Sequence, residues 1–177
     1  GAPTLDYAVF AGTPFGDTAS TSFDQLSFKG LYNNTWQHWD VTQRTHAQYT
    51  QDAWANQTLL AMGDLAGHVT WVNLYVDGLY WGIYTVTETP NAAFAQSYLG
   101  GNISDYDAIN GSSVDSGSLT TTDGNLNSWN ALMAIINRPS TDARYVGNAL
   151  GYADLSQYLD LPAFVDYMMT NLFGGNQ

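Results

Sequence analysis

The sequence predicts an α+β fold, with an antiparallel β-hairpin lobe first and helices after it. Three observations carry this expectation. Residues 68–76 and 79–88 are two β-rich runs separated only by Asp77-Gly78, a pair that tolerates positive φ and favours a tight primed turn. Strand-like segments come early and helical segments late, an order that points to segregated layers rather than alternating βαβ units. Apolar residues make up 45% of the 177 residues, enough to core one domain or a large part of one.

Taken in order, residues 1–21 are rich in Gly, Thr and Ser and read as an irregular lead-in to a domain spanning 22–177. Residues 22–29 carry Phe23 and then the alternating pair Leu26 and Phe28, a strand pattern. Residues 30–44 read as a loop crowded with aromatics. Residues 46–62 read as a helix with a stripe through Tyr49, Ala53, Trp54 and Leu60, stopped by Gly63. After the hairpin, Pro90 opens a short helix over 91–99, ended by Gly100-Gly101. Residues 105–110 suit a short strand or turn, and residues 111–124, poor in apolar side chains, a loop. Residues 125–137 form a helix with Leu126, Trp129, Leu132, Met133 and Ile136 on one side, and Pro139 follows it. A short helix over 154–159 precedes one capped by Asp160. Pro162 sits in its first turn, and Phe164, Val165, Met168, Met169 and Leu172 are its expected core face. Of the tryptophans, Trp71 and Trp81 lie inside the hairpin and are expected in the core.

Charge excludes some partners. Lys plus Arg total 4 against 16 Asp plus Glu, a net charge of -12. Binding nucleic acid or anionic lipid needs clustered cations, so neither is expected. No run of apolar residues is long enough to span a membrane. With no cysteine there is neither a disulfide nor a thiolate metal site. Low charge and abundant Tyr and Trp lean towards an extracellular or cell-surface protein.

Few residues carry chemistry. His38, His46 and His68 lack a nucleophile-elbow context for hydrolysis and a His-Glu-x-x-His spacing for zinc. Asp105 and Asp107 could pair for glycoside hydrolysis, but such pairs more often form solvated turns. Residues 12–16 fall short of a phosphate-binding Walker loop, and Asp17 stands where Lys is needed. Lys29, the one lysine, ends an apolar strand, and Glu88, the one glutamate, ends the second hairpin strand. A strand lysine held by a glutamate is the minimal arrangement that grips nucleotide phosphates in kinase-like folds. A surface lysine and an unrelated strand-end acid are the plainer alternative.

The segments Phe23-Asp24-Gln25-Leu26-Ser27-Phe28-Lys29-Gly30 and Tyr32-Asn33-Asn34-Thr35-Trp36-Gln37-His38-Trp39-Asp40 resemble the CotH (spore coat protein H) kinase family. Gln43-Arg44, the hairpin from Asn73 to Tyr84, Thr87-Glu88-Thr89-Pro90-Asn91 and Asn171-Leu172-Phe173-Gly174-Gly175-Asn176 continue in register. The resemblance implies an atypical protein-kinase-like fold of secreted bacterial type. It implies ATP with Mg or Mn as cofactors and phosphorylation of Ser and Thr on secreted or surface proteins. Lys29 and Glu88 would be the nucleotide-binding residues. Asn33, Asn34, Trp36, His38, Trp39 and Arg44 are further candidates for ligand contact. The family continues past this point into Asp-containing catalytic and metal-binding motifs. The chain therefore reads as an incomplete domain, expected to be inactive alone, from either an active kinase or a pseudokinase. The competing reading is a non-catalytic extracellular binding or structural module, in which the aromatic-rich loop with Trp36 and Trp39 stacks on polysaccharide or meets a surface matrix.

Overall fold

A computed structural model describes residues 4–30, 35–111 and 119–174. The expected hairpin is present: β4 runs Val69–Val76 and β5 runs Leu79–Glu88. Asp77 and Gly78 between them have φ of 50° and 79°, the left-handed pair of a primed turn. Strand β3, Leu26–Lys29, pairs antiparallel with the other edge of β5, so the sheet order is β3-β5-β4. Central position explains why Thr85, Val86, Thr87 and Glu88 are all buried. The β4–β5 ladder carries one bulge. Leu74 faces Gly82 while Tyr75 faces Tyr80, which leaves Trp81 as the extra residue on β5.

The stretch expected as an irregular lead-in is folded onto this sheet. Strand β1, Leu5–Asp6, pairs with β2, Ser22–Phe23, and a 3-10 turn spans Gly16–Thr18. Phe10 between them is fully buried (0% exposed), with its ring 5.7 Å from both the Phe23 and His68 rings.

A short helix forms where a loop was expected. Helix α1, Val41–His46, is capped by Asp40, whose carboxylate accepts from the Thr42 and Gln43 amides at 2.7 and 3.2 Å. The helix expected over 46–62 starts later, as α2, Gln51–Met62, and stops at Gly63 with φ of 93°. Helix α3, Ala92–Leu99, is capped by Asn91 through the Phe94 amide at 2.8 Å. Strand β6, Ala108–Gly111, pairs with β7, Leu119–Asp123, so part of the expected 111–124 loop is sheet. Residues 112–118 of that loop, and 175–177 of the expected terminal turn, lie outside the described residues.

Helices α4 (Asn127–Ile136), α5 (Ala149–Leu155) and α6 (Leu161–Phe173) follow. Asp160 caps α6 as expected, accepting from the Ala163 amide at 3.2 Å. Burial departs from the apolar pattern. Phe164, Val165, Met168, Met169 and Leu172 are exposed, and Thr170 is the α6 residue that is buried, its hydroxyl 4.0 Å from Met62 Sδ on α2. The stripe is amphipathic, but the described elements that meet α6 cover a different part of it. Among the described residues no helix is long and apolar enough to cross a membrane.

Three of the helical half's charges meet at Asp154. Arg138 donates to its Oδ2 at 2.5 Å, and Arg144 donates through Nε to Oδ2 at 2.8 Å and through a second nitrogen to Oδ1. Hydrogen bonds from Arg144 first, and Arg138 second, hold the Asp154 carboxyl well below the usual carboxylate range. A depressed folded-state pKa contributes stability above the unfolded pKa, and that contribution is lost as pH falls through the folded value. Urea unfolding at about pH 5 and about pH 2 should show this acid loss in the parent and a smaller one in Asp154→Asn. An equal loss in both proteins would remove Asp154 as its source.

Candidate functional site

Lys29 and Glu88 do not meet. Lys29 faces Thr85 across the β3–β5 ladder, and Glu88 faces Leu26. Thr85 and Glu88 are three apart on one strand, and side chains alternate faces, so Lys29 and Glu88 project from opposite sides of the sheet. The ammonium of half-exposed Lys29 instead lies 3.6 Å from the Asp52 carboxylate, in the first turn of α2. The expected strand lysine is in place, but its acid comes from helix α2.

Glu88 belongs to a buried polar network. Antiparallel pairing sets it beside His68, just ahead of β4, and both are almost completely buried (3% and 2% exposed). Glu88 Oε2 accepts the His68 backbone N–H at 2.9 Å and lies 2.8 Å from His68 Nδ1. Its Oε1 accepts from the Tyr98 hydroxyl on α3 at 2.6 Å. The Tyr98 oxygen in turn accepts the Ser20 N–H at 2.9 Å. Burial first, and the hydrogen bond to Glu88 second, push the Tyr98 phenol well above its ordinary value. Thr18 Oγ1 lies 3.0 Å from His68 Nε2, which completes a hydroxyl–imidazole–carboxylate row in outline. That hydroxyl already donates to the Phe15 carbonyl at 2.7 Å, so the row lacks the proton transfer that hydrolysis needs. The network ties the N-terminal arm, the hairpin and α3 together.

The aromatic loop divides. Asn33 and Asn34 lie outside the described residues. Trp36 is 65% exposed, yet its ring is fixed: the indole N–H donates to Ala47 O at 3.2 Å, and the ring packs edge-on to Tyr49 at 4.9 Å. His38 is buried, with Nδ1 accepting the Asp40 N–H at 3.1 Å. Arg44 donates to His38 O at 3.4 Å, and exposed Trp39 lies with its ring 5.5 Å from His38. His38 and Arg44 thus brace the loop, and Trp36 faces the hairpin. Trp71 and Trp81, expected in the core, are both exposed. The Trp71 indole donates to Tyr49 O at 2.9 Å, and Trp81 is the bulge residue.

Asp52, His68 and Tyr98 are the members of these clusters that sequence reasoning missed. Asp52 had a plain alternative, since an acid in a first helical turn is favoured by the helix dipole. A phosphate contact fits half-exposed Lys29, whose charge is steadied by one carboxylate. A divalent metal does not fit equally: among the described residues no group of three or more His, Asp or Glu could hold one.

A family model described as CotH kinase protein matches residues 59–177, two thirds of the chain. No curated protein and no solved structure matches. His68, Glu88 and Tyr98 fall inside the matched span, and Lys29 and Asp52 ahead of it.

Proposed function

Because the chain belongs to the CotH kinase protein family, we propose that it supplies the phosphate-gripping lobe of an ATP-dependent kinase acting on Ser and Thr of exported proteins. The observation that carries this reading is the Lys29–Asp52 pair, a strand lysine held by a carboxylate on helix α2. Protein kinases hold a strand lysine with a helix acid in this way, which aims the ammonium at the nucleotide phosphates. ATP, when bound, supplies the phosphoryl group. Lys29 offsets phosphate charge, and Asp52 keeps the ammonium from wandering between rotamers. The described residues gather no metal-ligand set, so no step is assigned to a metal. Glu88 acts at one remove, as a positioning residue that fixes the end of β5. An extracellular or surface location rests on composition: 4 basic residues in 177, low charge and abundant Tyr and Trp.

The test is ATP-dependent thermal stabilisation, which grows with ligand concentration over Kd. Lys29→Ala should weaken ATP binding by about tenfold or more and Asp52→Ala by a few fold, since one charge-assisted hydrogen bond is worth roughly 1.5–3 kcal/mol. Both variants should keep the stability of the unliganded chain within about 1 kcal/mol, as expected of an exposed ion pair. No ATP-dependent shift in the parent, or an undiminished one in Lys29→Ala, would sink the proposal.

A further inference from the structure

We propose that the cleft between Trp36 and the tip of the β4–β5 hairpin binds a neutral oligosaccharide, independently of the nucleotide reading. The cleft has a volume of about 640 Å³, within the usual range for small-ligand sites. Trp36, Tyr49, Tyr80, Trp81, Ile83 and Tyr84 line it, drawn from the aromatic loop, the turn before α2 and strand β5.

Two features make it a built site. Trp36 is held by its Ala47 hydrogen bond and by Tyr49, so a ligand does not have to order it. Trp81, the unpaired residue of the bulge, is 61% exposed beside paired Tyr80 at 56%, so the two rings are presented together from the regular frame of the sheet. The ligand class follows from chemistry. Sugar rings present apolar C–H faces rimmed by hydroxyls, which suit aromatic planes edged by phenols. Thr35 and Gln37, also in the lining, add neutral donors and acceptors. Among the described residues none that lines the cleft is charged, so the cleft offers no cation to a sulfated or phosphorylated ligand. Stacked nucleic-acid bases would need cations along their backbone, which the described lining residues do not supply. Lys29 directly precedes cleft residue Gly30, but its ammonium turns to Asp52.

The experiment titrates the full chain with soluble cello-, xylo-, malto- and N-acetylated chito-oligosaccharides, with dextran sulfate, and with ATP. Tryptophan fluorescence and calorimetry are the readouts. At least one neutral oligosaccharide should bind saturably. Trp36→Ala and Trp81→Ala should each weaken it by about tenfold, the size of a lost aromatic stacking contact. Lys29→Ala should bind it unchanged, which separates this site from the nucleotide proposal. Because the Trp81 ring is exposed, its variant should melt with the parent and keep the test readable. Three results would overturn the inference: no neutral oligosaccharide binding, binding indifferent to both tryptophans, or dextran sulfate or ATP binding that both tryptophan variants abolish.

Discussion

Replacing Glu88 with alanine should destabilise the fold by about 3–5 kcal/mol, because it strands several buried donors at once, each costing roughly 1–3 kcal/mol when left unsatisfied. At roughly 2–4 °C per kcal/mol for a chain of this size, the melting temperature should drop on the order of 10 °C. The cost arises from what stays behind: the His68 ring and amide and the Tyr98 hydroxyl would sit in an apolar setting without their acceptor. Glu88→Gln should fall between the two, because an amide offers one accepting oxygen where the carboxylate offers two. A loss under about 1 kcal/mol, near the worth of an ordinary hydrogen bond, would refute the network's role. The same network sets an alkaline limit. Tyr98 holds its proton more tightly folded than unfolded, so its contribution is complete below the unfolded pKa of about 10. It is lost as pH rises further, because the unfolded chain ionises first. Tyr98→Phe should flatten that limb of the stability curve, measured by denaturant unfolding across the alkaline range.

Phe10→Ala should cost a similar 3–5 kcal/mol, the usual range for emptying a fully buried phenylalanine site. Phe10 joins the arm to Phe23 and to the back of the His68 ring, so its loss should also free residues 4–22 for proteolysis before the sheet opens. Phe10→Leu, which keeps most of the volume, should cost much less. If Phe10→Ala were no more destabilising than Trp81→Ala, whose ring is exposed, the arm would not be part of the folded unit.

Local chemistry made much of this fold legible. Asp77-Gly78 placed the hairpin turn, and Asn91, Asp160 and Gly63 marked helix ends where they occur. What sequence reasoning missed was non-local. Counting outward from a two-residue turn pairs Val76 with Leu79 and would set His68 against Thr87. The single extra residue at Trp81 shifts the ladder so that His68 meets Glu88. No local signal announces that bulge except Gly82, whose φ of 124° suits glycine. The same parity argument separates Lys29 from Glu88, and it was obscured because β3 joins the sheet from a distant part of the chain. Apolar stripes located α2, α4 and α6 but not their burial, and the short helix expected over 154–159 lies earlier, at Ala149–Leu155. Periodicity shows that a helix has an apolar face, not which neighbour covers it. Phe10 sat in a stretch whose Gly and Thr content looked like loop, and one aromatic outweighed that composition.

The arm's fastening also has a consequence in time. Thr18 meets His68 across 50 residues of sequence, and Ser20 meets Tyr98 across 78. At about 5–20 residues per second of synthesis, the arm leaves the ribosome several seconds before Tyr98 exists to receive it. During that interval Phe10 and Phe23 are exposed with no strand to cover them, a window in which a chaperone or a neighbouring chain could take hold of them. Contacts this distant along the chain close late, so a segment made early is among the last to be secured.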